Sequence, residues 1–199
     1  DLCLPWREGK VHILKMLEGQ IVTEDVQEEV GYTEEKGRKV FKPDGTYQKI
    51  AAVERHKNTG KIGVGIVKGF GLRGGAIASS VSHDSHNLIV IGDNDHDMYL
   101  AVQELLRTQG GYTLVENGQV FDTLPLPIMG LMSDAGYEKV NEKLARMIPK
   151  AHEMGIPEGF DPFITLSFMA LPVIPEIRIT PRGVYLTQED RMIQSPFDR

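Results

Sequence analysis

Apolar positions in this chain come in short runs, and the densest set lies in residues 60–92, GKIGVGIVKGFGLRGGAIASSVSHDSHNLIVIG. Within residues 61–68, Ile62, Val64 and Ile66 fall on one side and Gly63 and Gly65 on the other. That period of two predicts a strand. Glycines opposite an apolar face leave room for another backbone or a ligand to come close. Residues 76–81 and 88–91 are apolar runs that predict two further buried strands. Between them stands the polar cluster His83-Asp84-Ser85-His86-Asn87, which must be a turn or a strand end. Such places on a rigid scaffold are where reactive groups are usually presented.

Residues 11–17 and 20–26 predict a hairpin around Glu18-Gly19. Residues 23–35 concentrate acid and residues 36–42 base, as expected of a solvated surface link. The link marks a boundary: a small β appendage with its linker over residues 1–35, and the main domain over residues 36–199. Residues 40–42 and 47–54 predict strands flanking Pro43-Asp44-Gly45, where proline presets φ and glycine accepts a positive one. Asn94, between Asp93 and Asp95, predicts a helix start. Met98, Val102, Leu105 and Leu106 give that helix its apolar stripe, and Gly110-Gly111 ends it. Asn117-Gly118 is the strongest hairpin signal, joining residues 112–115 to 119–121. Residues 124–132, with Pro125 and Pro127, predict an ordered apolar loop.

A second helix is expected after a cap at Ser133 or Asp134, with Val140, Leu144, Met147, Ile148 and Ala151 buried and a kink or break at Pro149. Residues 163–170 read as a buried strand, 177–180 and 183–186 as late strands, and the last dozen residues as a loose polar tail. The sum is α+β: a mainly antiparallel sheet packed by two principal helices, with a small N-terminal β appendage.

Composition narrows the partners. The 199 residues suffice for one domain with a real core, or one domain plus an appendage. Twenty-two basic against 28 acidic residues give a net charge of −6, which argues against nucleic acid or an anionic membrane as partner. The most apolar window, residues 163–179, is broken by Pro172, Pro175 and Glu176 and is no membrane span. A single cysteine, Cys3, rules out an internal disulfide framework and fits a reducing, cytoplasmic setting. The N-terminus lacks the features of a signal peptide. The chain opens on Asp1 without a methionine, as a fragment or a processed product would.

The candidate chemistry centres on the polar cluster. His83 and His86 offer imidazoles that move protons near neutral pH, and Asp84 offers a carboxylate to orient one of them. Ser85 and Asn87 add a hydroxyl and an amide. Two histidines three residues apart make a weak metal signal without a third ligand, so no metal site is assigned. The competing reading is a plain turn in which Asp84 and Asn87 bond local backbone. The loop 69–75 offers backbone amides to an anion, with Lys68 and Arg73 adding charge. It matches no nucleotide-binding fingerprint, and its competing reading is a flexible turn. Glu54, Arg55 and His56 end a strand and could reach a site, but the favoured reading is surface charge at a strand end. His12, His96 and His152 read as structural or solvated, and Cys3 is not proposed as a nucleophile.

Residues 60–92, the loop 124–133 (LPLPIMGLMS) and residues 162–176 (PFITLSFMALPVIPE) together resemble the C-terminal domain of bacterial and archaeal adenine deaminase. The resemblance runs over residues 50–186. Residues 11–26 look like returning strands of the small β-domain found beside the barrel in amidohydrolase-type enzymes. The resemblance implies a hydrolase of purine salvage that turns adenine and water into hypoxanthine and ammonia. Its catalyst is a divalent metal (Mn, Fe or Zn) bound in a (β/α)8 barrel N-terminal to the matched region.

No metal ligand is carried over to this chain, which alone is expected to be inactive. Its implied partners are the catalytic barrel domain, a small-molecule purine and further copies of itself in a homo-oligomer. His83, Asp84 and His86 become candidates for groups that touch the substrate or hold those that do, with Ser85, Asn87 and Arg73 as substrate-binding candidates. The alternatives are a noncatalytic interaction or dimerisation domain, and a free-standing purine-binding module using the loop 69–75.

Overall fold

A computed structural model describes residues 2–198. Its elements are β1 (Val11–Met16), β2 (Thr23–Glu28), β3 (Tyr32–Glu35), β4 (Arg38–Phe41), β5 (Tyr47–Val53), β6 (Ile62–Lys68), β7 (Gly75–Ser79), β8 (Leu88–Gly92), α1 (Asp95–Arg107), β9 (Gly111–Glu116), β10 (Gln119–Pro125), α2 (Tyr137–Glu153), α3 (Pro162–Phe168), β11 (Ile177–Thr180), β12 (Gly183–Leu186) and β13 (Arg191–Ile193). An eight-stranded sheet in the order β10-β9-β7-β8-β5-β6-β1-β2 is the frame. Its pairings are antiparallel except β1 against β6, where Leu14 faces Val67. The N-terminal hairpin, expected as a small β appendage, joins this sheet at its edge through that parallel pair.

Both faces of the sheet are covered, which is why β7 and β8 read as unbroken apolar runs rather than alternating ones. Ile50, Ile77, Ile89, Ile91 and Leu114 pack with Met147 of α2, Phe163 of α3 and Ile179 of β11. Their strand neighbours Ala51, Ala76, Val90 and Val115 face the other way, onto Met98, Ala101 and Leu105 of α1. The mainly antiparallel α+β architecture is as expected.

Local chemistry accounts for most element ends. Asn94 caps α1 by accepting from the Asp97 N–H. Asn117 and Gly118, with φ of 48° and 78°, make the tight β9–β10 turn. Gly63 takes no side chain because a Cβ there would lie 1.9 Å from the Thr180 carbonyl oxygen in the β11–β12 turn. The close neighbour foreseen for the glycine face is therefore backbone. No helix among the described residues is long and apolar enough to cross a membrane.

Five expectations are corrected. Residues 163–168 of the expected strand lie in a helix, α3, and 169–170 in the turn after it: Asp161 accepts from the N–H groups of Phe163 and Ile164, and Pro162 fills the first turn. The cap and proline outweigh the β-branched and aromatic content. α2 begins after Gly136 without a side-chain cap and runs through Pro149 undivided. Lys150–Glu116 (2.7 Å) and Arg146–Asp122 (3.4 Å) hold it to β9 and β10. The acidic stretch 23–35 contributes β2 and β3 rather than a solvated link. Its acids meet bases across the strands, Glu24 with Lys15 (2.6 Å), Asp25 with His12 (2.9 Å) and Glu28 with Lys68 (2.7 Å). Leu106 of the α1 stripe is 56% exposed. The C-terminal tail is tied down: β13 pairs with β12, Phe197 is buried, and the Pro196 carbonyl accepts from the His12 N–H at 2.9 Å.

Candidate functional site

β7 leads into the turn 80–87 and β8 leads out of it, so both ends are anchored in the sheet. β5 pairs with β8, with Val53 opposite Leu88. The residues that follow Val53 therefore lie beside those that precede Leu88. Arg55 uses this placement three ways. Its backbone N–H donates to Asn87 Oδ1 at 3.2 Å. Its Nε donates to the His86 carbonyl at 2.5 Å, and its Nη2 to the Met129 carbonyl at 2.7 Å. His56 Nε2 donates to the Ser85 carbonyl at 2.6 Å.

Two remote segments close on the same turn. Ser80 Oγ donates to the Gly130 carbonyl at 2.6 Å and accepts from the Gly111 N–H at 2.8 Å, which fixes the loop 126–132. α3 arrives from the other side, its Phe163 ring stacked on Tyr112 with centroids 4.6 Å apart. The Ser167 carbonyl accepts from the His83 N–H at 3.2 Å, and the Phe168 ring stacks on the His83 imidazole at 5.0 Å. The His83 and His86 rings are 6.2 Å apart. Three side-chain atoms of this neighbourhood, Ser82 Oγ, Ser167 Oγ and His86 Nδ1, are buried without a hydrogen-bond partner among the described residues. Such atoms are uncommon in folded proteins and call for an explanation.

Burial pushes the His86 imidazole below its ordinary pKa; the neighbouring His83 and Arg55 push the same way, Asp84 pulls against them, and His56 adds the smallest push. These surroundings disfavour the imidazolium form of His86 and suit its ring to accept a hydrogen bond or a proton. Burial also lowers Arg55, which has no carboxylate partner among the described residues.

The sequence-derived candidates divide. His83, Ser85, His86 and Asn87 share the turn, His83 and His86 half-buried and Asn87 buried. Asp84 is in the turn but its side chain is 86% exposed and its Oδ1 lies 3.7 Å from His83 Nδ1. That is too long for the hydrogen bond that would orient an imidazole. Arg73 lies at the opposite end of β7, where its N–H donates to the Met154 carbonyl at 2.8 Å; it is not brought to the turn. The amides of the loop 69–75 already have an anion of their own, because Gly74 and Gly75 donate to the Asp93 carboxylate at 2.5 and 3.1 Å.

Sequence reasoning set Arg55 and His56 aside as surface charge at a strand end that could reach a site, and it missed Ser82, Ser167 and Phe168. Only the apolar run ahead of Arg55, ending level with the one that begins at Leu88, carried a signal. Among the described residues no group of three or more His, Cys, Asp or Glu side chains is placed to hold a metal ion.

Comparison with known proteins adds a second line. Residues 20–191 match the family model described as the adenine deaminase C-terminal domain. The chain is 51% identical over 194 residues to an adenine deaminase of Desulfitobacterium hafniense, covering 98% of this chain and 33% of that protein. It is 46% identical over 183 residues to one from Nitratidesulfovibrio vulgaris (92% and 31%), and 43% identical over 180 residues to one from Bacillus subtilis (89% and 30%). The chain therefore spans about one third of the length of these curated relatives.

Proposed function

We propose, from the premise that this chain belongs to the adenine deaminase C-terminal domain family, that it serves as the C-terminal part of an enzyme that hydrolyses adenine to hypoxanthine and ammonia. In this reading the turn 80–87 faces a catalytic barrel and completes the purine site from the side opposite a divalent metal held by that barrel. The observation that carries it is convergence. The three segments through which the resemblance runs meet at one turn, by way of the Arg55–Met129, Ser80–Gly130 and His83–Ser167 hydrogen bonds. A set of groups assembled from remote segments and left with unpartnered buried atoms is what a binding face requires.

The described residues do not gather enough ligands for the metal, so no step is routed through a metal in this chain. Its own part is to hold the turn rigid, disfavour the imidazolium form of His86 and offer hydrogen bonds to the bound purine or to groups that touch it.

The test is made in the intact enzyme carrying this domain. His83→Ala and His86→Ala should each lower turnover about ten- to a hundredfold with folding intact, the scale for a partner just outside the reacting atoms. Full activity in both variants would reject the reading. The isolated chain, given adenine and a divalent cation, should release no ammonia above background.

A second reading, a domain that docks to another copy, draws on an apolar groove of about 470 Å³ between α1, the end of β5 and the start of β6. Val53, Ile62, Tyr99 and Leu106 line it. Sizing chromatography separates the two: a strictly monomeric intact enzyme would remove the second.

A further inference from the structure

We infer that Arg55 is a positioning residue of this site, a two-point clamp that sets where the His86 imidazole stands relative to the loop 126–132. The inference rests on the reading of the turn as the face presented to the catalytic domain. Its guanidinium donates from two different nitrogens to two carbonyls, those of His86 and Met129, which lie 43 residues apart in sequence. A planar fork can hold two acceptors in fixed relative position, which a flexible ammonium cannot. The Arg55 N–H adds a third tie, to the Asn87 side chain. His86 has a φ of 49°, a conformation that neighbours must hold in place for a non-glycine residue.

The loop side of the clamp is fitted to the arginine. A Cβ on Gly130 would lie 2.5 Å from Arg55 Nη1, 2.7 Å from Nη2 and 2.8 Å from Cζ. Glycine at 130 is therefore the counterpart of arginine at 55: a side chain there would meet the guanidinium, and the φ of 75° would strain the backbone at 130 as well. Arg55 also contributes charge. With His83 and His56 it disfavours the protonated form of His86, while Asp84 favours it. Loss of Arg55 should thus do two separable things: release the turn and let His86 take a proton at higher pH.

The experiment uses the intact deaminase carrying Arg55→Ala, Arg55→Lys, Gly130→Ala or His86→Ala, with kcat and KM for adenine measured from pH 5 to 9 and folding followed by thermal melting. Arg55→Ala should lower kcat about ten- to a hundredfold, the scale of a misplaced catalytic neighbour, with KM nearly unchanged and the acid limb of kcat moved to higher pH. Arg55→Lys keeps the charge but loses the fork, so it should restore the acid limb and leave most of the kcat loss. Gly130→Ala, which keeps Arg55 but pushes it aside, should reproduce the kcat loss, and it carries the test if Arg55→Ala does not fold. Unchanged kcat and an unmoved acid limb in Arg55→Ala and Gly130→Ala, alongside an impaired His86→Ala, would overturn the inference and leave the proposed function standing. Full activity in His86→Ala and His83→Ala would reject the proposed function itself, and this inference with it.

Discussion

Glu54 accepts four hydrogen bonds from the residues that follow it: the N–H groups of His56, Lys57 and Thr59 and the Thr59 hydroxyl. Led by the Thr59 N–H, these hold its carboxyl down at about 2, against 4.5 for the free group. A carboxyl depressed in the folded state binds fewer protons than in the unfolded state between those values, so its contribution is present above pH 4.5 and lost as pH falls toward 2. The turn 54–59 carries Arg55 and His56. The protection of the Lys57 and Thr59 amides, measured against their intrinsic exchange rates at each pH, is therefore expected to fall as pH drops through that window, and Glu54→Gln should remove this change; equal protection profiles in both proteins would reject this. His86 has the opposite chemistry and the same sign. Its imidazole resists protonation when folded, so stability falls as pH drops below its ordinary 6.5. His86 stands out in the sequence as part of the polar cluster, whereas Glu54, Arg55 and His56 look like any charged strand end. Their roles come from being placed beside Leu88.

At the scale of elements, β6 and α3 set the position of the site. Gly63 lets the β11–β12 turn lie flat on β6, with the Thr180 carbonyl and the Gly183 backbone against it. Gly63→Ala puts a methyl into backbone that has no room to shift, and overpacking of this kind costs about 1–3 kcal/mol or more. The urea midpoint should fall with the m-value unchanged. α3 depends on its first turn. Asp161→Ala removes the acceptor for the Phe163 and Ile164 N–H groups and should cost about 1 kcal/mol, with faster exchange of those two amides. Because Ser167 and Phe168 seat His83, the same change should broaden His83 ring resonances; an unaltered His83 would count against that coupling. Apolar content leaves a short buried segment like this one open to strand or helix, and Asp161-Pro162 decides for the helix. Seven residues are too few for a periodic pattern to overrule a cap.

For the whole molecule, Arg178 ties the N-terminal hairpin to the approach to β11. It is fully buried, donating to the carbonyls of Ile177 (2.8 Å), Ile21 (2.9 Å) and Pro175 (2.8 Å) and to Thr23 Oγ1. Burial lowers it to about 10, which leaves it charged at neutral pH. Carbonyl dipoles from the β1–β2 connection and from the approach to β11 solvate the charge in place of a carboxylate. Arg178→Met strands those carbonyls, at about 1–3 kcal/mol each for any that water cannot reach. The variant should therefore unfold at a lower denaturant concentration, with protection lost together in β1–β2 and β11–β12. Separate loss in the two regions would mean that the clamp does not couple them.

What the sequence determined by itself was whatever neighbours along the chain decide. The period of two and the glycines of β6, the apolar runs of β7 and β8, the Asn94 cap and the Asn117-Gly118 turn are local signals, and each formed as read. The resemblance to adenine deaminase was equally legible, since it lies in the order of residues. Tertiary structure alone decided which remote groups meet. The pairing of β5 with β8 carries Arg55 and His56 to the turn, and the length of β7 keeps Arg73 away from it. Strand pairing with β1, β4 and β12 turned an acidic stretch into β2 and β3 and tied down a polar tail. Local signals say what shape a segment prefers, but a site built from segments far apart depends on strand register and packing, which no stretch of sequence holds on its own.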